Sequence, residues 1–186
     1  MLVRNEKLEM AIDFGRLDVS ALGLEEWEGA FKDMESLEQG AIANPSENRQ
    51  VGHYWLRAPM LAPSEYEQEI HESWGRLEEL AKRIPVHIEN ILIVGIGGSA
   101  LGPQFLKGAL ETKSLQVSFL DNTDPDGMDR VLQGLDLGAT LVGVLSKSGG
   151  TKETRNAMLE TKKAFEEDGL SFAENAIAIT GKDSAL

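Results

Sequence analysis

Four branched aliphatic residues in a row, Ile91-Leu92-Ile93-Val94, end abruptly in glycine. A run this short and unalternating is apolar on both faces, as in the buried strand of a parallel sheet. Val117 to Leu120, Thr140 to Leu145 and Ala176 to Ile179 are further strand candidates of the same kind. Between them lie Leu101 to Leu110, Gly127 to Leu135 and Lys152 to Asp168, each of helical character, the last closed by Gly169 as a C-cap. Strand and helix alternate at βαβ spacing. The reading is α/β: a three-layer sandwich with a mainly parallel open sheet covered on both faces, over residues 89–186. Four strands are in view and a fifth would normally follow. Asp183 and Ser184 are good N-cap residues, and Ala185-Leu186 would open a further helix, so the ending is read as a cut.

Residues 1–88 have a different rhythm and read as an N-terminal helical extension. They hold all three tryptophans, both tyrosines and all three histidines. Leu24 to Leu37 places Trp27, Phe31, Met34 and Leu37 on one helical face. Asn44 to Asn48 is a loop by its Asn-Pro and Ser content. A second helix opens at Ser64, with Glu67 three residues on as a capping box, and stops at Pro85. Its stripe is Tyr66, Ile70, Trp74, Leu77, Leu80 and Ile84. Helical periodicity already accounts for Trp27 and Trp74, so both are expected in the core. His53, His71 and His87 stand apart from any ligand-spaced partner, and no metal is expected.

In open parallel sheets, ligands bind at the carboxyl ends of the strands. Here those ends read Gly95-Ile96-Gly97-Gly98-Ser99, then Asp121-Asn122-Thr123-Asp124, then Ser146-Lys147-Ser148-Gly149-Gly150-Thr151, then Thr180-Gly181-Lys182-Asp183-Ser184. All four are small, polar or glycine-rich. A phosphate needs several donors converging on one spot. Helix N-termini supply amides and the positive end of a dipole, hydroxyls add donors without bulk, and glycine lets the backbone come close. Ser146, Ser148 and Thr151, the amides around Gly149 and Gly150, and the charge of Lys147 meet that need on one loop. Gly98 and Ser99 meet it on another. Either loop alone is as well explained by a glycine-rich turn, with Thr151 as an N-cap; two at the same sheet edge point to a bound phosphate.

A dinucleotide fingerprint competes with this reading. Gly95 to Ala100 fits G-x-G-x-x-A, and Asp121 ends the next strand where a ribose-binding acid would sit. That reading leaves Ser146 to Thr151 without a role. No G-x-x-x-x-G-K-[ST] is present. Asp121, Asp124 and Asp126 beside Pro125 and Gly127 read as turn chemistry rather than a metal site. The balance of 18 Lys and Arg against 31 Asp and Glu gives a net charge of −13. Such a field disfavours nucleic acid as the main partner and leaves a small phosphorylated ligand in a local pocket as the alternative. There are no cysteines, which fits a reducing compartment. Neither a signal peptide nor an apolar run of about 18 residues is present, so no membrane partner is expected and the localisation expected is cytoplasmic.

The segments "GIGGSALGP" (95–103) and "SKSGGTKET" (146–154), with their flanking strands, closely resemble the phosphoglucose isomerase family, which interconverts glucose 6-phosphate and fructose 6-phosphate in glycolysis and gluconeogenesis. "GHYWLRAP" (52–59) looks like the N-terminal region of bacterial members. The commoner family form has a Phe-Thr pair where this chain has Gly149-Gly150, which leaves the hydroxyl positions intact. The resemblance implies a sugar-isomerase (SIS-type) subdomain at 89–186. It implies that Gly98, Ser99, Ser146, Lys147, Ser148 and Thr151, with Gly149 and Gly150 between them, hold the phosphate of a hexose 6-phosphate. It places Glu153 close to the sugar, although an acid in a helix's first turn is also favoured without any ligand. The base glutamate, the ring-opening histidine and a late lysine of the family map to no residue here. The chain is therefore expected to be an N-terminal fragment, inactive alone, that needs the rest of the enzyme and forms a homodimer at full length. No cofactor is implied. The alternatives are a non-catalytic sugar-phosphate-binding SIS module and, less favoured, an NAD-binding oxidoreductase domain.

Overall fold

The computed structural model describes residues 2–16, 23–46, 48–110, 115–181 and 184–186. The chain divides into two compact units between Lys82 and Arg83.

The first unit contains β1 (Leu2–Asn5) paired antiparallel with β2 (Met10–Asp13), helix α1 (Leu24–Glu38), a small hairpin of β3 (Ile42–Asn44) and β4 (Arg49–Gln50), and helix α2 (Ser64–Arg83). The two helices fall where periodicity puts them. The hairpins go beyond the sequence reading, because pairs of two to four residues carry little pattern. Helix α2 begins at Ser64 itself, so Pro63 takes the N-cap position, and its carbonyl accepts the Tyr66 and Glu67 amides at 2.8 and 3.2 Å. The expected capping box does not form, because proline at the N-cap has neither an N–H nor a side-chain acceptor.

The tryptophans also need correcting. Trp27 and Trp74 remain 39% and 41% exposed, and Phe31 and Met34 are more so. The buried indole is Trp55, at 5%, in a short 3-10 turn. It stacks on Tyr66 at 5.6 Å and 17°, and its Nε1 donates to the Glu38 carbonyl at 3.2 Å. Periodicity identifies an apolar face but not what covers it, whereas an indole N–H with a buried acceptor can sit fully inside. Beside Trp55, the Tyr54 hydroxyl is buried without a hydrogen-bond partner among the described residues. Burial raises its pKa above the usual tyrosine value, and the Glu38 charge adds to the effect.

The second unit is the α/β sandwich. Its elements are β5 (Asn90–Val94), α3 (Gly98–Ala109), β6 (Gln116–Leu120), α4 (Pro125–Gln133), β7 (Thr140–Ser146), α5 (Lys152–Glu167) and β8 (Ala176–Thr180). The four strands are parallel in the order β6-β5-β7-β8. The crossover from β5 to β6 runs one way along the sheet, and those from β6 to β7 and β7 to β8 run the other. With right-handed crossovers, α3 lies on one face and α4 and α5 on the opposite one.

Packing follows from that division. Leu92, Val94, Leu120, Val142 and Val144 project to the α4/α5 face and form the core with Met128, Leu132, Ala157 and Phe165. Phe165 is 0% exposed, and burial of a side chain of this size contributes roughly 1.5–3 kcal/mol. Thr140 and Thr161, fully buried there, give their hydroxyl protons to the Asp136 and Ala157 carbonyls at 2.6 and 2.8 Å, so neither is an orphan. The α3 face is thinner. Helix α3 buries Ala100 but leaves Leu101, Phe105 and Leu106 exposed.

Two helices start earlier than expected. Helix α3 takes in Gly98 and Ser99, which were read as turn residues, because the chain already turns at Gly97. Helix α4 starts with Pro125 at its first position, suited by a fixed φ and a missing donor. Helix α5 ends as expected. The Gly169 amide reaches the Glu166 carbonyl at 3.1 Å and the Leu170 amide reaches Phe165 at 2.8 Å, a Schellman closure.

Candidate functional site

Strands β5 and β7 are neighbours whose outgoing connections run in opposite directions. That makes their carboxyl ends the switch point of the sheet, where a doubly wound fold leaves a crevice. The two loops that open there are 95–99 and 146–151, the pair selected from the sequence. Gly95, at the start of the first, packs beside Leu145, the residue before the second. A Cβ there would lie 3.0 Å from the Leu145 carbonyl oxygen and 3.0 Å from the Ser99 Cβ, so a larger residue would have to push one of them aside.

On the β5 side, Gly97 caps α3 with φ of 58° and Gly98 and Ser99 form its first turn. The amide of Gly98, as the first helical residue, has no intrahelical acceptor. The Ser99 amide bends back to the Ile96 carbonyl at 3.2 Å. Gly97 and Gly98 are exposed and Ser99 half-buried.

The β7 side is more tightly wired. Ser146, 3% exposed, ends the strand. Its hydroxyl accepts the Gly149 amide at 3.1 Å and donates to the Thr151 hydroxyl at 3.3 Å. A hydroxyl has one proton. Ser146 has given its proton to Thr151, which keeps its own. Thr151 occupies the N-cap position of α5 but makes no side-chain cap bond, so its hydroxyl does not perform the capping that a bland reading would assign to it. The Ser148 hydroxyl accepts the Gly150 amide at 3.2 Å and likewise keeps its proton. The donors left over are the Ser148 and Thr151 hydroxyl protons and the first amides of α5, at Lys152 and Glu153. Lys147 is exposed at the loop's shoulder. Glu153 lies exposed in the first turn of α5, where its charge suits the helix dipole.

The other sequence candidates resolve differently. Both oxygens of Asp121 are engaged, by Gln104 Nε2 at 2.6 Å and Asn122 Nδ2 at 3.1 Å, which weakens it as a ribose-binding acid. Asp124 holds the N-cap position of α4 without a side-chain cap bond, in a turn closed by its own amide on Asn122 Oδ1 at 2.9 Å, and its carboxylate lies 3.8 Å from Arg130. Asp126 sits in that helix's first turn. Among the described residues no group of acids and histidines is placed to hold a metal ion, and no helix is long and apolar enough to cross a membrane.

Two residues take a part that sequence reasoning did not give them. Thr180, the last residue of β8, bonds to the 146–151 loop, and Ser184 beyond it packs on that loop. Thr180 had appeared only in one more polar strand end and Ser184 there and as an N-cap candidate; Lys182 and Asp183 of that end lie outside the described residues. Ser184 accepts the Leu186 amide at 3.3 Å in an N-cap-like turn, but residues 184–186 form no helix.

A parallel sheet with helices on both faces and a crevice at its switch point belongs to the open α/β class. Comparison with known proteins narrows that class. The family model described as phosphoglucose isomerase matches residues 24–184, and the chain belongs to that family. A glucose-6-phosphate isomerase of Citrifermentans bemidjiense is 50% identical, matched across the whole of this chain and 38% of its own length. One from a Cyanothece species is 54% identical over 84% of this chain and 32% of its own. Among solved structures, a glucose-6-phosphate isomerase from Chlamydia trachomatis superposes with a TM-score of 0.79 at 32% identity, covering 88% of this chain and 34% of that one. This chain therefore spans about a third of the length of these relatives.

Proposed function

We propose that this chain is the phosphate-holding N-terminal portion of a glucose-6-phosphate isomerase, an aldose-ketose isomerase of glycolysis and gluconeogenesis, and that residues 89–186 are most of its first SIS-type subdomain. The observation that carries the reading is the placement of two donor-rich loops after the neighbouring strands β5 and β7 at the switch point, with Gly95 packed beside the Leu145 carbonyl.

In this reading the phosphate of fructose 6-phosphate or glucose 6-phosphate sits between the loops. It takes bonds from the Gly98 amide, the Ser99, Ser148 and Thr151 hydroxyls and the first amides of α5, and Lys147 supplies positive charge. Ser146 and the two glycines shape the loop. The dipoles of α3 and α5 both point their positive ends at the anion, which offsets locally the repulsion from a chain of net charge −13. Glu153 faces the sugar. Proton transfer between C1 and C2 then needs a general base and a stabilised enediolate. Neither is assigned to a residue here, so the rest of the isomerase supplies them and the chain alone binds without turnover. At full length the enzyme is a cytoplasmic homodimer.

The test is a titration of this chain with fructose 6-phosphate and, separately, with NAD, followed by amide NMR. Shifts at Gly98, Ser99 and residues 146–151 with the sugar phosphate alone are expected. Shifts with NAD alone, centred on residues 95–100 and Asp121, would replace the reading with a dinucleotide site.

A further inference from the structure

We propose that Thr180 is a positioning residue for the phosphate loop, holding residues 146–149 in the donor-presenting shape through its hydroxyl and Ser184. The inference rests on the phosphate reading above.

Ser146 and Thr180 are the last register pair between β7 and β8, and beyond them the two chains stay tied without a strand ladder. Thr180 Oγ1 donates to the Ser146 carbonyl at 2.7 Å. The Gly181 amide donates to the Lys147 carbonyl at 3.2 Å. The Ser184 hydroxyl lies 2.7 Å from Thr180 Oγ1. Ser184 also packs against Gly149, where a Cβ would lie 2.7 Å from the serine oxygen and 2.8 Å from the Leu186 amide nitrogen. Ser146, Lys147 and Gly149 are thus each fixed from the β8 side, while the Ser146 hydroxyl is committed on the other side to Gly149 and Thr151.

Proton accounting shows why Thr180 positions rather than contacts. Its single hydroxyl proton goes to the Ser146 carbonyl, so the Thr180–Ser184 bond must use the proton of Ser184. The Ser184 oxygen then accepts the Leu186 amide. Neither hydroxyl has a proton left for an anion. By contrast Ser148 and Thr151, which the arrangement holds in place, both do. Thr180 and Ser184 therefore back the cradle, and a methyl in place of the Thr180 hydroxyl would leave the Ser146 carbonyl only the Gly149 amide, at 3.2 Å, without changing side-chain shape.

Calorimetric titration with fructose 6-phosphate of the wild type, Thr180→Val, Thr180→Ser and Ser184→Ala, with NMR of the unliganded proteins, tests this. Thr180→Val is expected to raise Kd about tenfold, Ser184→Ala about threefold, and Thr180→Ser to stay within about twofold of wild type. Unliganded Thr180→Val should shift the amides of residues 146–151 and leave those of 97–99 in place. A folded Thr180→Val that binds like wild type, or a Thr180→Ser as weak as the valine variant, overturns the inference. If Thr180→Val does not fold, Ser184→Ala decides, and wild-type affinity there overturns it. If the wild type itself does not bind the sugar phosphate, the functional reading has failed. The unliganded shifts then judge the positioning claim by themselves: unmoved amides at 146–151 overturn it.

Discussion

The two loops at the switch point reach similar chemistry by different means. Loop 95–99 is held by its own helix: Gly97 turns the chain, and the amides of Ala100 and Leu101 close on its carbonyl at 3.0 and 2.9 Å. A Cβ on Gly97 would meet nothing within 4 Å. Loop 146–151 is held by neighbours. Gly149 has φ of 67°, and a Cβ there would collide with Ser184 and Leu186. The comparison teaches that a left-handed glycine can be there for conformation alone, as at Gly97, or for conformation and crowding together, as at Gly149, and only the second kind ties that point of the loop to another part of the fold.

The largest effect expected is from Gly149→Ala. Left-handed backbone costs alanine about 1–2 kcal/mol, and the collisions add a comparable amount, for roughly 2–4 kcal/mol in all. Urea unfolding followed by circular dichroism measures it. Gly97→Ala in the other loop should cost only the backbone strain, about 1–3 kcal/mol, in the same experiment. Equal losses at the two glycines would erase the distinction drawn between the loops. Ser99→Ala with Thr151→Ala takes one donor from each loop. Losing a donor to a charged partner costs about 1–3 kcal/mol, so calorimetry should show Kd for fructose 6-phosphate raised at least tenfold. An unchanged Kd would remove both hydroxyls from the phosphate site. Ser146→Ala leaves the Gly149 amide only the Ser146 carbonyl, at 3.2 Å, and should cost about 1 kcal/mol of stability. Gly150→Ala is expected to be smallest. Its φ is not in the left-handed region and the nearest atom to a new Cβ is Ser148 Oγ at 3.9 Å, so the change should be neutral or stabilise by about 0.4–1 kcal/mol through the unfolded chain. A large loss there would mean that the two adjacent glycines are not distinguished by crowding.

The difference between Gly149 and Gly150 also bears on the departure of this chain from the commoner family form. The substituted pair is not uniform: one position is closed by Ser184 and the other is open. Nothing in the run "SKSGGT" separates the two, because the closing residue is 35 positions away in sequence. The same limit explains the tryptophans. Trp27 and Trp74 share the periodicity of core residues but stay partly exposed, while Trp55, in a segment without helical period, is buried by Tyr66 and the Glu38 carbonyl.

Much else was legible from residue order. The runs at 91–94, 117–120, 140–145 and 176–179 became strands to within a residue, since four branched or β-prone residues in a row fit a pleat covered on both faces. The helix over Lys152–Glu167 and its closure at Gly169 followed from periodicity and a cap residue. Gly95–Ser99 and Ser146–Thr151 were recognisable as glycine- and hydroxyl-rich strand ends, and the structure puts them after neighbouring strands. These are local properties, written within a turn or two of chain. What only the tertiary structure decided was the strand order β6-β5-β7-β8, which makes two of the four polar strand ends face one another, and the return of Thr180 and Ser184 onto the loop. Both depend on contacts between residues tens of positions apart, and local sequence pattern does not encode which distant partners will meet.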